Sequence, residues 1–131
     1  MICLFDSMVM QIEKSILQEK SEALAGRVIK MYQYLTSQKN EHIVSKQVLR
    51  SGTSIGANIA ESRNAQSTLD FINKLNIALK EADETNFWLN NLKIGGYLNE
   101  IEYQSIHDDC EELIRMLTSS IKTLKKRMGK L

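Results

Sequence analysis

The sequence predicts an all-α protein, an antiparallel up-down-up-down four-helix bundle. Three observations lead there. None of the 131 residues is proline, although the turns of a many-stranded β protein recruit proline and glycine. Apolar residues recur at helical spacing in four successive runs, with no run of strand-like alternation. Short polar breaks and cap residues separate these runs, and short connections make sequential helices antiparallel. A chain of this length forms one domain that buries roughly two thirds of its unfolded surface, so a core needs neither disulfide nor metal.

The first run places Leu17, Leu24, Val28, Met31 and Leu35 on one face, with Ile29 and Tyr32 widening it. This predicts a helix over 21–37, and the good helix formers of 11–20 extend it upstream. Residues 1–19 read as an N-terminal extension, disordered or partly helical, before a bundle domain over 20–131. The second run sets Val44, Val48, Gly52, Ile55 and Ile59 on one stripe of a helix over 42–63. A third helix starts at Ser67, with Asp70 three residues on as in a capping box, and stops at Gly95-Gly96. The fourth opens with Asn99 and Glu102 and carries the stripe Tyr103, Ile106, Cys110, Leu113, Leu117, Ile121, Leu124 and Met128.

Charge is nearly balanced, with 17 Lys plus Arg against 16 Asp plus Glu and a formal net charge of +1. No global field therefore draws the chain to nucleic acid or membrane. The balance is an average: residues 100–116 hold six acids and one arginine, and the tail after Glu112 holds no acid. Cys3 and Cys110 lie far apart, which suits a reducing cytoplasm. No apolar stretch approaches the roughly 18 residues of a membrane span, and the opening run lacks the marks of a signal peptide.

Helix three shows two apolar sectors at about 100° per residue. Phe71, Ile72, Leu75, Ala78, Leu79, Ala82 and Leu89 form the core face. Ile77, Trp88 and Leu92 fall together elsewhere, in a stripe shared with Lys74 and Glu81. Aligned large apolar residues mark an oligomer interface; the competing reading is that neighbouring helices wrap further around helix three. In helix two, Gly52, Gly56 and Ala60 recur every four residues and point to close helix packing. A phosphate-binding loop is excluded there, because no Gly-Lys-Ser/Thr follows and no strand precedes.

The stretch 45–61, with Arg50-Ser51-Gly52-Thr53-Ser54-Ile55-Gly56-Ala57-Asn58 at its centre, and the stretch 74–85, with Leu79-Lys80-Glu81-Ala82, closely resemble the bacterial four-helix-bundle proteins encoded in 23S rRNA intervening sequences. The resemblance covers about residues 20–127. It implies a homopentamer with no established catalytic activity, in a family historically misnamed as ribosomal. More distantly, the chain resembles the accessory variability proteins of diversity-generating retroelements, pentameric barrels that bind nucleic acid and a reverse transcriptase.

Candidate sites follow. Arg50, Ser54, Asn58 and Glu61 line one side of helix two, and helix three offers Lys74, Glu81 and Glu84. These groups are expected to pair across a subunit boundary together with Ile77, Trp88 and Leu92, fixing register more than stability; otherwise they form a solvated face. Lys122, Lys125, Lys126, Arg127 and Lys130 make a basic helix end that suits RNA or DNA phosphates, or simply complements the helix dipole. No metal site is expected, since Cys110 sits on the core stripe beside His107 and no second His/Cys cluster completes a ligand set. The Glu-x-x-His signature of di-iron bundles is also missing, because Gln104 and Lys39 precede the two histidines at that offset. No nucleophile and base are arranged for catalysis. The sequence therefore reads as a non-catalytic homo-oligomeric scaffold without cofactor or small-molecule substrate, alternatively as a nucleic-acid-binding accessory factor.

Overall fold

The computed structural model describes residues 4–129, with side chains over 16–129. Four helices follow one another: α1 (Leu4–Gln38), α2 (Val44–Ser62), α3 (Thr68–Ile94) and α4 (Glu100–Arg127). Each packs on its sequence neighbours, and α1 closes the ring against α4, while the diagonal pairs do not meet among the described residues. This is the all-α four-helix bundle that the periodicity predicts, antiparallel at each short connection.

The stretch before residue 20, expected as disordered or partly helical, is helical from Leu4. The helix runs unbroken from Leu4, and Leu17 and Ser21 are buried in the same core as Leu24, Val28 and Leu35. Removing Leu17 from water ties the upstream turn to the bundle, a gain of roughly 2 kcal/mol for a buried leucine. Residues 1–3 of the expected extension lie outside the described residues.

Local chemistry sets the other ends. Asn40 adopts a positive φ of 52° after α1, a conformation asparagine tolerates better than most residues. Next to it the buried Glu41 folds its carboxylate over the start of α2. Oε2 accepts from Ile43 N at 3.1 Å and Val44 N at 3.0 Å, and Oε1 accepts from Ser45 N at 2.6 Å. Three otherwise orphaned N–H groups are thereby satisfied, and α2 opens at Val44 rather than at 42. Ser67 caps α3 by accepting from Asp70 N at 3.0 Å. At its far end Gly96, with φ of 81°, lets Tyr97 N reach back to Leu92 O at 2.9 Å and Gly96 N to Lys93 O at 3.0 Å. That pair of bonds is a Schellman motif, which uses the φ glycine reaches without penalty. Asn99 and Glu102 complete a reciprocal capping box on α4, at 2.8 and 2.9 Å.

Phe71, Ile72, Leu75, Leu89, Ile55, Ile59, Leu113 and Leu117 fill the centre, each at most 1% exposed. Leu92 joins them at 0%. The helical plot puts it on an outward stripe, but it is buried in the same core cluster as Leu98, whose N–H bonds back to Leu92 O at 3.3 Å.

Candidate functional site

The seam of α2 and α3 gathers most of the residues singled out in the sequence. Arg50 Nη1 donates to Glu81 Oε2 at 3.1 Å, and Nη2 donates to Glu84. Glu84 Oε2 also accepts from the Trp88 indole Nε1 at 3.2 Å. One carboxylate thus joins a cation on α2 to the indole on α3. Beneath this strip, Thr85 Oγ1 donates to the buried Ser51 Oγ at 3.0 Å and stands 2.8 Å from Glu81 O. Further along, Lys74 Nζ lies 3.6 Å from Glu61 Oε2. Ser54 and Asn58 bond to their own helix, Ser54 Oγ to Arg50 O at 2.7 Å and Asn58 Nδ2 to Ser54 O at 2.8 Å.

These ion pairs already close within one chain. Antiparallel packing of α2 on α3 brings position 50 beside 81 and 84, and 61 beside 74, before any second chain is involved. With Arg50 half-exposed, each pair adds about 0–1 kcal/mol of stability. Their larger effect is order, because Arg50 and Glu84 hold the indole in place. Apolar groups flank the strip. Ile77 is 42% exposed and Phe87 58% exposed, and the Phe87 ring meets Trp88 edge-on with centroids 4.9 Å apart. Trp88 itself is half-buried and packs against the core. Phe87 belongs to neither apolar sector of the helical plot, and its only sequence signal is adjacency to Trp88.

The glycine row of α2 faces α1. A Cβ at Gly52 would come within 2.9 Å of Val28 Cγ2, and one at Gly56 within 3.1 Å of Ser21 Oγ. Ala60, the third member, is half-buried. On α4, Lys122 and Lys126 are exposed, and Lys125 is half-buried, forming with Lys122, Leu79, Thr118 and Ile121 an apolar dimple of about 190 Å³. Arg127 is exposed, and Lys130 lies outside the described residues. Between α1 and α4 runs a larger groove of about 480 Å³, floored by Met31, Leu98 and Ile106. Arg27 spans it, donating to Ser105 O at 3.1 Å, Ser105 Oγ at 2.8 Å and Asp109 Oδ2 at 2.7 Å.

Nothing in this arrangement activates the Cys110 thiol. Burial raises its pKa, and the nearby Glu111, Asp83 and Asp109 raise it further, to about 12. Its Sγ donates to Ala82 O at 3.3 Å, so it acts as a core residue and not as a nucleophile. Among the described residues, no three His, Cys, Asp or Glu side chains converge on a metal-sized gap, and no helix is long and apolar enough to cross a membrane.

Fold and face together define a bundle protein with a pre-paired polar strip between apolar side chains. The profile of the 23S rRNA-intervening sequence proteins matches residues 13–119, and the chain belongs to that family. Among solved structures, it is similar to a protein of unknown function from the S23 ribosomal protein family of Bacteroides thetaiotaomicron. The two share 48% identity and a TM-score of 0.82, over 84% of this chain and 98% of that one. No curated protein matches the chain.

Proposed function

We propose that this protein is a non-catalytic, homo-oligomeric scaffold of the cytoplasm that acts by binding a partner, and that its outward α2/α3 face is where copies meet. The carrying observation is the exposed Phe87 edge-on to an indole that Glu84, itself paired with Arg50, already holds by a hydrogen bond, with the exposed Ile77 about three helical turns away on α3. Interfaces draw most of their energy from a few aromatic and arginine anchors, and anchors ordered before contact lose less entropy on binding. Five copies is the number that the sequence resemblance implies. Multi-angle light scattering tests this reading: the wild type should elute at five times the 15.0 kDa chain mass. Phe87→Asp and Ile77→Asp should lower that mass while leaving the helical circular dichroism intact. A monomeric wild type at micromolar concentration overturns the proposal.

The exposed Lys122, Lys126 and Arg127, together with Lys125, support a second reading, contact with RNA or DNA phosphates. Repeated in an oligomer, such ends would form a broad cationic patch. Affinity for labelled RNA should then fall steeply with ionic strength. Binding that survives replacement of these four residues by alanine removes the helix end as the contact.

A further inference from the structure

The bundle carries an aromatic ridge on one side and an apolar groove on the other. Each helix packs on its sequence neighbours and α1 closes against α4, so the α1/α4 seam faces away from the α2/α3 seam. On α3, Phe87 stands 58% exposed and is braced edge-on by Trp88. Across the bundle, the groove of about 480 Å³ has a floor of Met31, Leu98 and Ile106, with Tyr34 and Ile101 at its lips. Its volume falls in the range of about 300–1,000 Å³ in which apolar groups are bound. Ile101 is 82% exposed, an aliphatic side chain left in water beside a hollow that it does not fill. One chain cannot seat its own ridge in its own groove, because the two lie on opposite sides.

We propose that the α1/α4 groove receives the Phe87 ridge of a second copy, so that copies join ridge into groove and not ridge to ridge. This rests on the reading that copies meet through the outward α2/α3 face, and it names the surface that face meets. Height is the first support. Helices α1 and α3 run parallel and finish at the same end of the bundle, at Gln38 and Ile94. Phe87 lies seven residues before Ile94, about 10 Å from that end at 1.5 Å per residue. Arg27 and Tyr34 lie eleven and four residues before Gln38, so the groove covers about 6–16 Å on the same scale. Ridge and groove thus share one level, and the step from copy to copy is a rotation with little rise, which closes a ring rather than winding a filament. Ile77, ten residues further from that end, stands above the groove, so Phe87 is the anchor. Charge is the second support. Asp83 is exposed one turn from Phe87, and Lys30 is exposed one turn from Tyr34 at the groove. The flexible lysine stem spans the few ångströms between their levels, and such a pair fixes register and partner choice. Docking also removes Ile101, Tyr34 and Phe87 from water, an aromatic anchor set in an apolar pocket as at interface hot spots.

The test is a mixing experiment on the full-length protein, read by sedimentation velocity. Ile101→Asp disables the groove lip; the position is 82% exposed and sits in the first turn of α4, where an acid suits the helix dipole, so the bundle still folds. Phe87→Asp disables the ridge. Each variant alone should sediment at the 15.0 kDa of a single chain with its helical circular dichroism unchanged. Mixed in equal amounts, the two should form a species of twice that mass, because the intact groove of Phe87→Asp takes the intact ridge of Ile101→Asp and both outer faces of the pair are disabled. If Ile101→Asp keeps the wild-type oligomeric mass while Phe87→Asp loses it, the groove is overturned and the α2/α3 face stands as the meeting surface. Variants that remain monomeric when mixed overturn the groove as well. A wild type that is itself monomeric overturns both readings.

Discussion

Gly52 of α2 and Val28 of α1 approach so closely that a Cβ on the glycine would lie 2.9 Å from one valine methyl and 3.0 Å from the other. Val28 is fully buried and β-branched, so it cannot swing aside. Gly52→Ala sets an overpacking cost of about 1–3 kcal/mol against a helix-propensity gain of about 1 kcal/mol. We expect a net loss of about 1 kcal/mol in urea unfolding. Gly56→Ala should differ in sign or come close to neutral. Its new methyl meets the hydroxyl of Ser21, which donates to Gln18 O at 2.9 Å and can rotate away. Equal losses at the two positions would show that the close approach is not what selects glycine.

Glu41 makes the acid limb of stability specific. Burial opposes its charge, but hydrogen bonds from the backbone N–H groups of Ser45, Val44 and Ile43 outweigh burial, and the pKa is lowered. A carboxyl whose pKa falls on folding contributes stability above its unfolded value of about 4.3 and loses it as pH drops through the folded value. Glu41→Gln presents one acceptor oxygen in place of two, and should cost about 1 kcal/mol at neutral pH. Wild type and variant should converge below about pH 4. Parallel stability curves down to that pH would remove Glu41 as the titrating cap.

How far the sequence discloses this structure depends on how local each cause is. Ser67, Asn99 with Glu102, and Gly96 act on backbone groups within a turn of themselves, so the ends of α3 and α4 are legible in the order of residues. Glu41 is equally local, yet it caps with a longer side chain than the Ser, Thr, Asp and Asn that mark most helix starts. Leu92 and Arg50 depend on what lies opposite them. A helical plot places Leu92 with Ile77 and Trp88, because it does not register what the rest of the fold packs against that side of the helix. It leaves Arg50 facing an unknown neighbour, although the antiparallel return of α3 sets Glu81 and Glu84 there.

The buried contact of Thr85 with Ser51 joins the same two helices below the ion pairs. Thr85→Val keeps the shape and removes the donor, leaving a hydroxyl without it in a dry seam. A loss of about 1–2 kcal/mol is expected. Adding Ser51→Ala removes the orphaned group as well, and the double variant should recover part of that loss. Strict additivity in chemical denaturation would mean that the two hydroxyls do not interact.

Trp88 is the chain's single tryptophan, so its fluorescence reports directly on the strip that the proposed interface needs ordered. Glu84 serves two partners, and two substitutions separate them. Glu84→Gln keeps an acceptor for the indole Nε1 but removes the charge facing Arg50; Glu84→Ala removes both. Emission should shift in Glu84→Ala and change little in Glu84→Gln, while both lose up to about 1 kcal/mol because the pair is largely solvated. Salt at molar concentration should erase the stability difference between wild type and Glu84→Gln, since exposed charges are screened there. If Glu84→Gln moves the emission as far as Glu84→Ala, then the Arg50 ion pair, and not the indole hydrogen bond, is what holds Trp88 ready for a partner.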